Sequence, residues 1–226
     1  IETYRLLGMD LSMVDSARAM VYQYREAIMA LELGHPASVA KAVSTQAAMI
    51  AIRGTETSEA VANALAVARE IADNLSDPVY GRWVDMMDGA CAYHEGRFVE
   101  SVRTVEATYD WFLEHRPEER SLIGKSELYR CVTRRYLGEL NELRVSSKNA
   151  IADARARGDL FIETCIAAGS VWLWLADDDP AGAAERIRTL PWKPPSTSYH
   201  IQHYQAARGK TEVALYRDAG ADELIA

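Results

Sequence analysis

Apolar residues recur along this chain at intervals of three and four. Val39, Val43, Ala47 and Ile50 form one stripe, Trp83, Met87, Ala90 and Cys91 a second, and Phe161, Cys165, Gly169 and Trp172 a third. A period near 3.6 places each set on one face of an α-helix. No segment sustains the period-two alternation of a strand, and no Asn-Gly hairpin turn occurs. The spacing predicts helices over 11–33, 36–53, 56–75, 78–95, 97–115, 118–137, 139–157, 159–177, 180–189 and 197–217, with shorter helical pieces at 1–8 and 220–226. Asp77-Pro78 and Asp179-Pro180 each set a capping acid before a first-turn proline. Gly34, Gly54, Gly138 and Gly158 stand where helices should stop.

The breaks themselves are periodic. Gly54, Gly96, Gly138, Asp178 and Asp218 follow one another at intervals of 42, 42, 40 and 40. Similar phrases follow two of them, Gly96-Arg97-Phe98-Val99-Glu100-Ser101 and Gly138-Glu139-Leu140-Asn141-Glu142-Leu143. Ala167, Gly169, Leu175, Asp178 and Ala181 recur at an offset of 40 as Ala207, Gly209, Leu215, Asp218 and Ala221. Fixed spacing of this size is the signature of a helical solenoid. In the unit around Gly96, small Gly89 lies seven residues before the turn, Tyr93 three before and small Ser101 five after. A small residue in each helix lets the two axes approach while aromatics fill the gap. The expected fold is therefore all-α, a TPR-like α-solenoid of antiparallel helix hairpins with a period of about 40–42 residues, longer than the usual 34 or so. Residues 1–226 are expected to form a single repeat domain. The chain opens without Met and stops at Leu224-Ile225-Ala226 inside a helical pattern, which reads as a piece of a longer protein truncated at both ends.

Composition narrows the function classes. Across 226 residues, 49% are hydrophobic and 26% charged, and Gly (13) and Pro (7) are sparse, which suits a folded core. The net charge of −8 is uneven. Residues 1–115 carry 9 basic and 17 acidic side chains, residues 116–157 carry 10 and 6, and residues 158–226 carry 6 and 10. An acidic chain repels phosphate backbones, so no nucleic-acid partner is expected. No apolar run approaches a membrane span and the N-terminus has no signal-peptide pattern, so neither a membrane partner nor export is expected, and the expected location is cytoplasmic. Cys91, Cys131 and Cys165 are odd in number and far apart, which suggests buried thiols rather than a disulfide framework.

Little in the chain points to chemistry. There is no GxSxG, GxxxxGK[ST], GxGxxG or HExxH pattern, so neither catalytic, metal nor cofactor-binding residues are assigned, and no cofactor is expected. The candidate contact residues cluster late in the chain. His200 and His203 are three apart and share a helix face, flanked by Tyr199 and Tyr204. Two imidazoles on one face reach one ion or anion, but without further ligands packing is the simpler reading. Trp192 sits in the irregular stretch Leu190-Pro191-Trp192-Lys193-Pro194-Pro195, where an aromatic either anchors a partner or plugs a groove. Asp177-Asp178-Asp179 precedes a helix start and reads as capping. His94 and His115 end helices, where a cation favours the helix dipole.

The stretch Ser198-Tyr199-His200-Ile201-Gln202-His203-Tyr204, with Val213-Ala214-Leu215-Tyr216-Arg217-Asp218-Ala219-Gly220, resembles the C-terminal helical regions of large bacterial serine/threonine protein kinases of the myxobacterial type. Trp174-Leu175-Ala176-Asp177-Asp178 and the opening Tyr4-Arg5-Leu6-Leu7-Gly8 are similar to phrases of the same regions. In that family a kinase domain and an ATPase-like region precede TPR-like repeats. No glycine-rich loop, HRD or DFG motif is present here, so no catalytic role carries over. The resemblance implies a scaffold or sensor for a signalling enzyme. The leading expectation is a non-catalytic interaction module that holds a protein or peptide on its concave face. The alternative is a small-molecule effector-binding sensor domain of a transcription activator or signalling ATPase, with a pocket near Tyr199, His200 and Trp192.

Overall fold

A computed structural model describes residues 1–12, 15–192 and 200–218. All regular structure among the described residues is helical. In chain order the helices are α1 (Glu2–Leu11), α2 (Ser16–Leu33), α3 (Pro36–Ala51), a 3-10 turn (Gly54–Thr57), α4 (Ser58–Asp73), α5 (Val79–His94), α6 (Phe98–His115), α7 (Arg120–Leu137), α8 (Leu140–Arg157), α9 (Leu160–Gly169), α10 (Trp172–Ala176), α11 (Pro180–Arg188) and α12 (Ile201–Tyr216). No described helix is long and apolar enough to cross a membrane.

One expected helix starts late and another is divided. The helix expected over 11–33 begins at Ser16, where Asp15 caps it, its Oδ1 accepting the Arg18 N–H at 3.1 Å, and the piece expected over 1–8 runs on to Leu11. The stretch 159–177 breaks at Ser170, whose Oγ donates to the Ala167 carbonyl at 3.1 Å. The chain tightens there, with Trp174 N–H bonding back three residues to the Val171 carbonyl. The break rotates the third apolar stripe, so Cys165 is buried while Trp172 is exposed.

The periodic turn is present in the backbone. Gly54, Gly96, Gly138, Asp178 and Asp218 all take positive φ, between 54° and 79°. Gly34 and Gly158, at 61° and 71°, do the same one helix away. A left-handed residue ends the helix by turning its last carbonyls to new donors, and only Gly, Asn and Asp adopt it cheaply. At Asp178 the cost is offset by the Tyr216 hydroxyl, which donates to Oδ1 at 2.7 Å.

The chain divides into two compact units, Ile1–Thr133 and Arg134–Ala226. In the first, each helix packs on the next from α1 to α6, and α3 also packs on α5. Its core gathers Trp83, Met86, Met87, Val105, Phe112, Leu122 and Ile123. The α5–α6 hairpin closes through the two small residues singled out above. The Ser101 hydroxyl donates to the Gly89 carbonyl at 2.8 Å, and a Cβ added at Gly89 would lie 2.6 Å from Val105 Cγ2. In the second unit α8 packs on α9, α9 and α11 on α12, and α10 on α11. Its core gathers Ala168, Val171, Leu175, Ala183, Ile187 and Val213.

Candidate functional site

A concave feature of the second unit is built by α11 and α12. Asp179 starts α11, its Oδ1 accepting the Gly182 N–H at 2.8 Å. Gly209 lets α12 come close, since a Cβ there would lie 2.5 Å from Ile187 Cδ1 and 3.0 Å from Val171 Cγ2. α11 has only 9 residues against 16 in α12, so α11 itself spans only part of α12. The result is an open groove of about 550 Å³, in the size range of ligand sites.

Ile187, Leu190, Trp192, Ala206 and Val213 supply apolar walls. Thr164 of α9 and Gln202 of α12 line the groove while being 1% and 2% exposed. Thr164 Oγ1 and Gln202 Oε1 are buried without a hydrogen-bond partner among the described residues. A buried polar atom left unpaired costs about 1–3 kcal/mol. Arg188, Lys210 and Arg217 also line the groove, and among the described residues no carboxylate does. Arg188 is held by Glu185, and Arg217 donates to the Pro180 carbonyl at 2.9 Å. Exposed Lys210 forms no ion pair among the described residues. The groove therefore offers an apolar body, two buried hydrogen-bonding atoms and a cationic rim.

The residues singled out from the sequence are split by the structure. Trp192 and His203 line the groove. His200, 8% exposed, meets the Trp192 ring edge-on with centroids 6.0 Å apart. His203 Nδ1 accepts the His200 N–H at 3.0 Å, so this imidazole caps the start of α12. Tyr204 is exposed, sits under the Arg208 guanidinium at 5.8 Å and is not among the groove residues. Tyr199 lies outside the described residues. Among the described residues no group of three or more His, Cys, Asp or Glu is placed to hold a metal ion. Thr164, Leu190, Gln202 and Lys210 were not singled out, because a buried orphan atom or a rim lysine has no periodic mark.

The other candidates resolve individually. Only Asp179 of the Asp177–Asp179 run caps α11; Asp177 pairs with Arg144 at 2.8 Å, and Asp178 makes the left-handed turn. His94 is no helix-end cation: burial pushes its pKa down, and its Nε2 meets the Tyr129 hydroxyl at 3.2 Å. His115 stacks on Trp111 with centroids 4.9 Å apart. The three cysteines are buried, and burial pushes the Cys91 and Cys165 thiols up to about 12.

A second concentration of polar groups lies under α2 in the first unit. Arg5, ion-paired with Glu2, has its guanidinium 5.1 Å from the Trp83 ring centre, and the Lys41 ammonium lies 4.9 Å from the same ring. Glu26 is 2% exposed, and burial drives its pKa up to about 7 against the pull of Arg5 and Lys41. Burial lowers Lys41 as well, with Arg5 adding repulsion. Lys125, whose ammonium donates to the Met9 carbonyl at 3.3 Å, is pushed by burial down to about 8. These groups tie α1, α2, α3, α5 and α7 together through cation–π and ionic contacts.

Comparison with protein-family models, with curated proteins and with solved structures gives no match for this chain.

Proposed function

We propose that this chain is a non-catalytic recognition module built of stacked, TPR-like helical hairpins, and that it grips a segment of a partner protein in the α11–α12 groove. The recurring left-handed turns and the helix-on-next-helix packing within each unit support the repeat reading. One observation carries the binding site: a groove of about 550 Å³ has apolar walls and, among the described residues, no carboxylate and two buried polar atoms without a partner, at Thr164 and Gln202. Such a site suits an amphipathic acidic segment, with an apolar side chain against Trp192 and Leu190 and a carboxylate near Lys210. The setting we propose is a bacterial cytoplasmic signalling protein, with a serine/threonine kinase elsewhere in the parent chain.

The test is capture from bacterial lysate with the native chain beside Leu190→Asp and Lys210→Glu variants. A protein retained by the native chain and lost from both variants, with thermal stability unchanged, supports the reading. Equal retention by all three removes the groove from it. A second reading, a small apolar acid as effector, is favoured by the same volume and the same orphaned atoms. A thermal-shift screen of apolar carboxylic acids separates the two, since a bound ligand raises the melting temperature by mass action.

A further inference from the structure

α2 is turned inside out. Its buried face carries Ala19, Gln23, Glu26 and Ala30, which are small or polar. Its solvent face carries Ala17, Val21, Tyr24, Ile28 and Leu31, all exposed, with Val21, Tyr24, Ile28 and Leu31 between 50% and 62%. At about 100° per residue the two stripes lie on opposite sides of the helix. An amphipathic helix normally buries its apolar stripe, so an apolar face left outward while a carboxylate is buried marks a surface with an absent partner. The outer spacing runs four, three, four, three, which is the seam of a helix that pairs with another helix.

We propose that this face pairs with the same face of a second copy of the chain, α2 running antiparallel to α2 about a two-fold axis. Three observations favour a copy. A two-fold axis needs a self-complementary patch, and antiparallel register sets Val21 opposite Leu31 and Tyr24 opposite Ile28, so a short side chain meets a long one in each layer. Arg18, which pairs with Asp15 of its own copy at 3.3 Å, and Glu32 flank the stripe on one edge, 14 residues or about 21 Å apart, so in that register each Arg18 reaches the other copy's Glu32 across an offset of two residues, about 3 Å, at both ends of the seam. Arg25 lies between them on that edge and faces its own copy, which weakens the pair. The exposed seam with Met20 amounts to roughly 500 Å² per copy, so two copies bury about 1,000 Å², the lower end of specific interfaces. Exposed Leu6 and Leu7 of α1 add apolar surface in the same unit. The pairing is reversible and does not depend on the groove of the second unit.

Sedimentation velocity and light scattering of the 226-residue chain, from about 1 µM to about 200 µM, test this directly. The expected result is a weight-average mass that climbs from 25.1 kDa toward twice that value. Ile28→Glu should hold the mass at the monomer with an unchanged melting temperature, because the residue is exposed. Arg18→Glu should weaken association about tenfold, Arg18→Glu with Glu32→Arg should restore it, and Arg25→Ala should strengthen it. A mass fixed at the monomer throughout, or a dimer indifferent to Ile28→Glu, overturns the proposal. Failure of the double charge swap to rescue shows that the seam meets something other than an antiparallel copy, and overturns it equally.

Discussion

The α5–α6 hairpin and the α11–α12 pair use the same device and reach opposite ends. In both, a glycine removes the Cβ that would keep two helices apart: Gly89 against Val105, Gly209 against Ile187 and Val171. In the first unit, 16-residue α5 meets 18-residue α6 along its length, and the space between them is closed by core side chains. In the second unit, α11 stops after 9 residues while α12 runs on for 16, and a groove remains. Close approach makes a hairpin, and the relative length of its helices decides whether that hairpin is filled or open. The units differ in charge placement too. The first unit buries Glu26 and half-buries Lys125, whereas the groove of the second keeps its cations at an accessible rim.

That difference in charge placement can be broken most forcefully at Glu26. Its carboxyl holds a proton up to about pH 7 when folded, against 4.5 ordinarily. The folded state therefore binds more protons than the unfolded chain above pH 4.5, so stability falls as pH rises from 4.5 to about 7 and stays reduced beyond. Glu26→Gln should remove this fall, stabilising the chain by about 3 kcal/mol at pH 8 and by almost nothing at pH 4, read by urea unfolding at each pH. A variant as pH-sensitive as the native chain would place the titration elsewhere. Lys125, pushed down to about 8, works in the opposite direction, raising stability between pH 8 and 10.5.

Next in size is the closure of the hairpins. Gly89→Ala should cost about 2–3 kcal/mol, because the new methyl meets a stiff β-branched valine in a filled core. Gly209→Ala should cost about 1 kcal/mol, because its nearest neighbour is the mobile end of Ile187 beside an open groove. Equal losses of midpoint stability would contradict the division into a filled and an open pair.

For the groove, Lys210→Glu should weaken capture of an acidic segment about tenfold and leave the melting temperature unmoved. The smallest expected effect concerns the turns. The first unit makes its left-handed turns with Gly34, Gly54 and Gly96, whereas the second also uses Asp178 and Asp218. Asp218→Gly should stabilise by about 0.5 kcal/mol by relieving the left-handed strain. Asp178→Gly should gain less, since it also loses the Tyr216 hydrogen bond. Thermal denaturation of the two variants compares them directly.

Helix content, the turn positions and the Gly89–Ser101 approach were legible in the chain itself. Each depends on neighbours within one helix or one hairpin, and glycine at a left-handed turn is a local requirement. The helix start at Asp15 and the break at Ser170 were not legible, because the helical apolar period runs across both and the side-chain hydrogen bonds there leave no mark on it. His94 was misread for a related reason. Its place at a helix end is visible in sequence, whereas its burial beside Tyr129, 35 residues on, is not.

The candidate sites divide along the same line. The amino-acid order alone determined an all-helical chain with a turn every 40 or 42 residues and one aromatic-histidine cluster near its end. Only the tertiary structure decided that Thr164 and Gln202 share a groove with Lys210, that Tyr204 turns away from it, and that α2 shows its apolar stripe to water. Periodicity reports that a helix has two faces. Which face is buried depends on what the neighbouring helices leave uncovered, and that is a property of packing between segments distant in the chain.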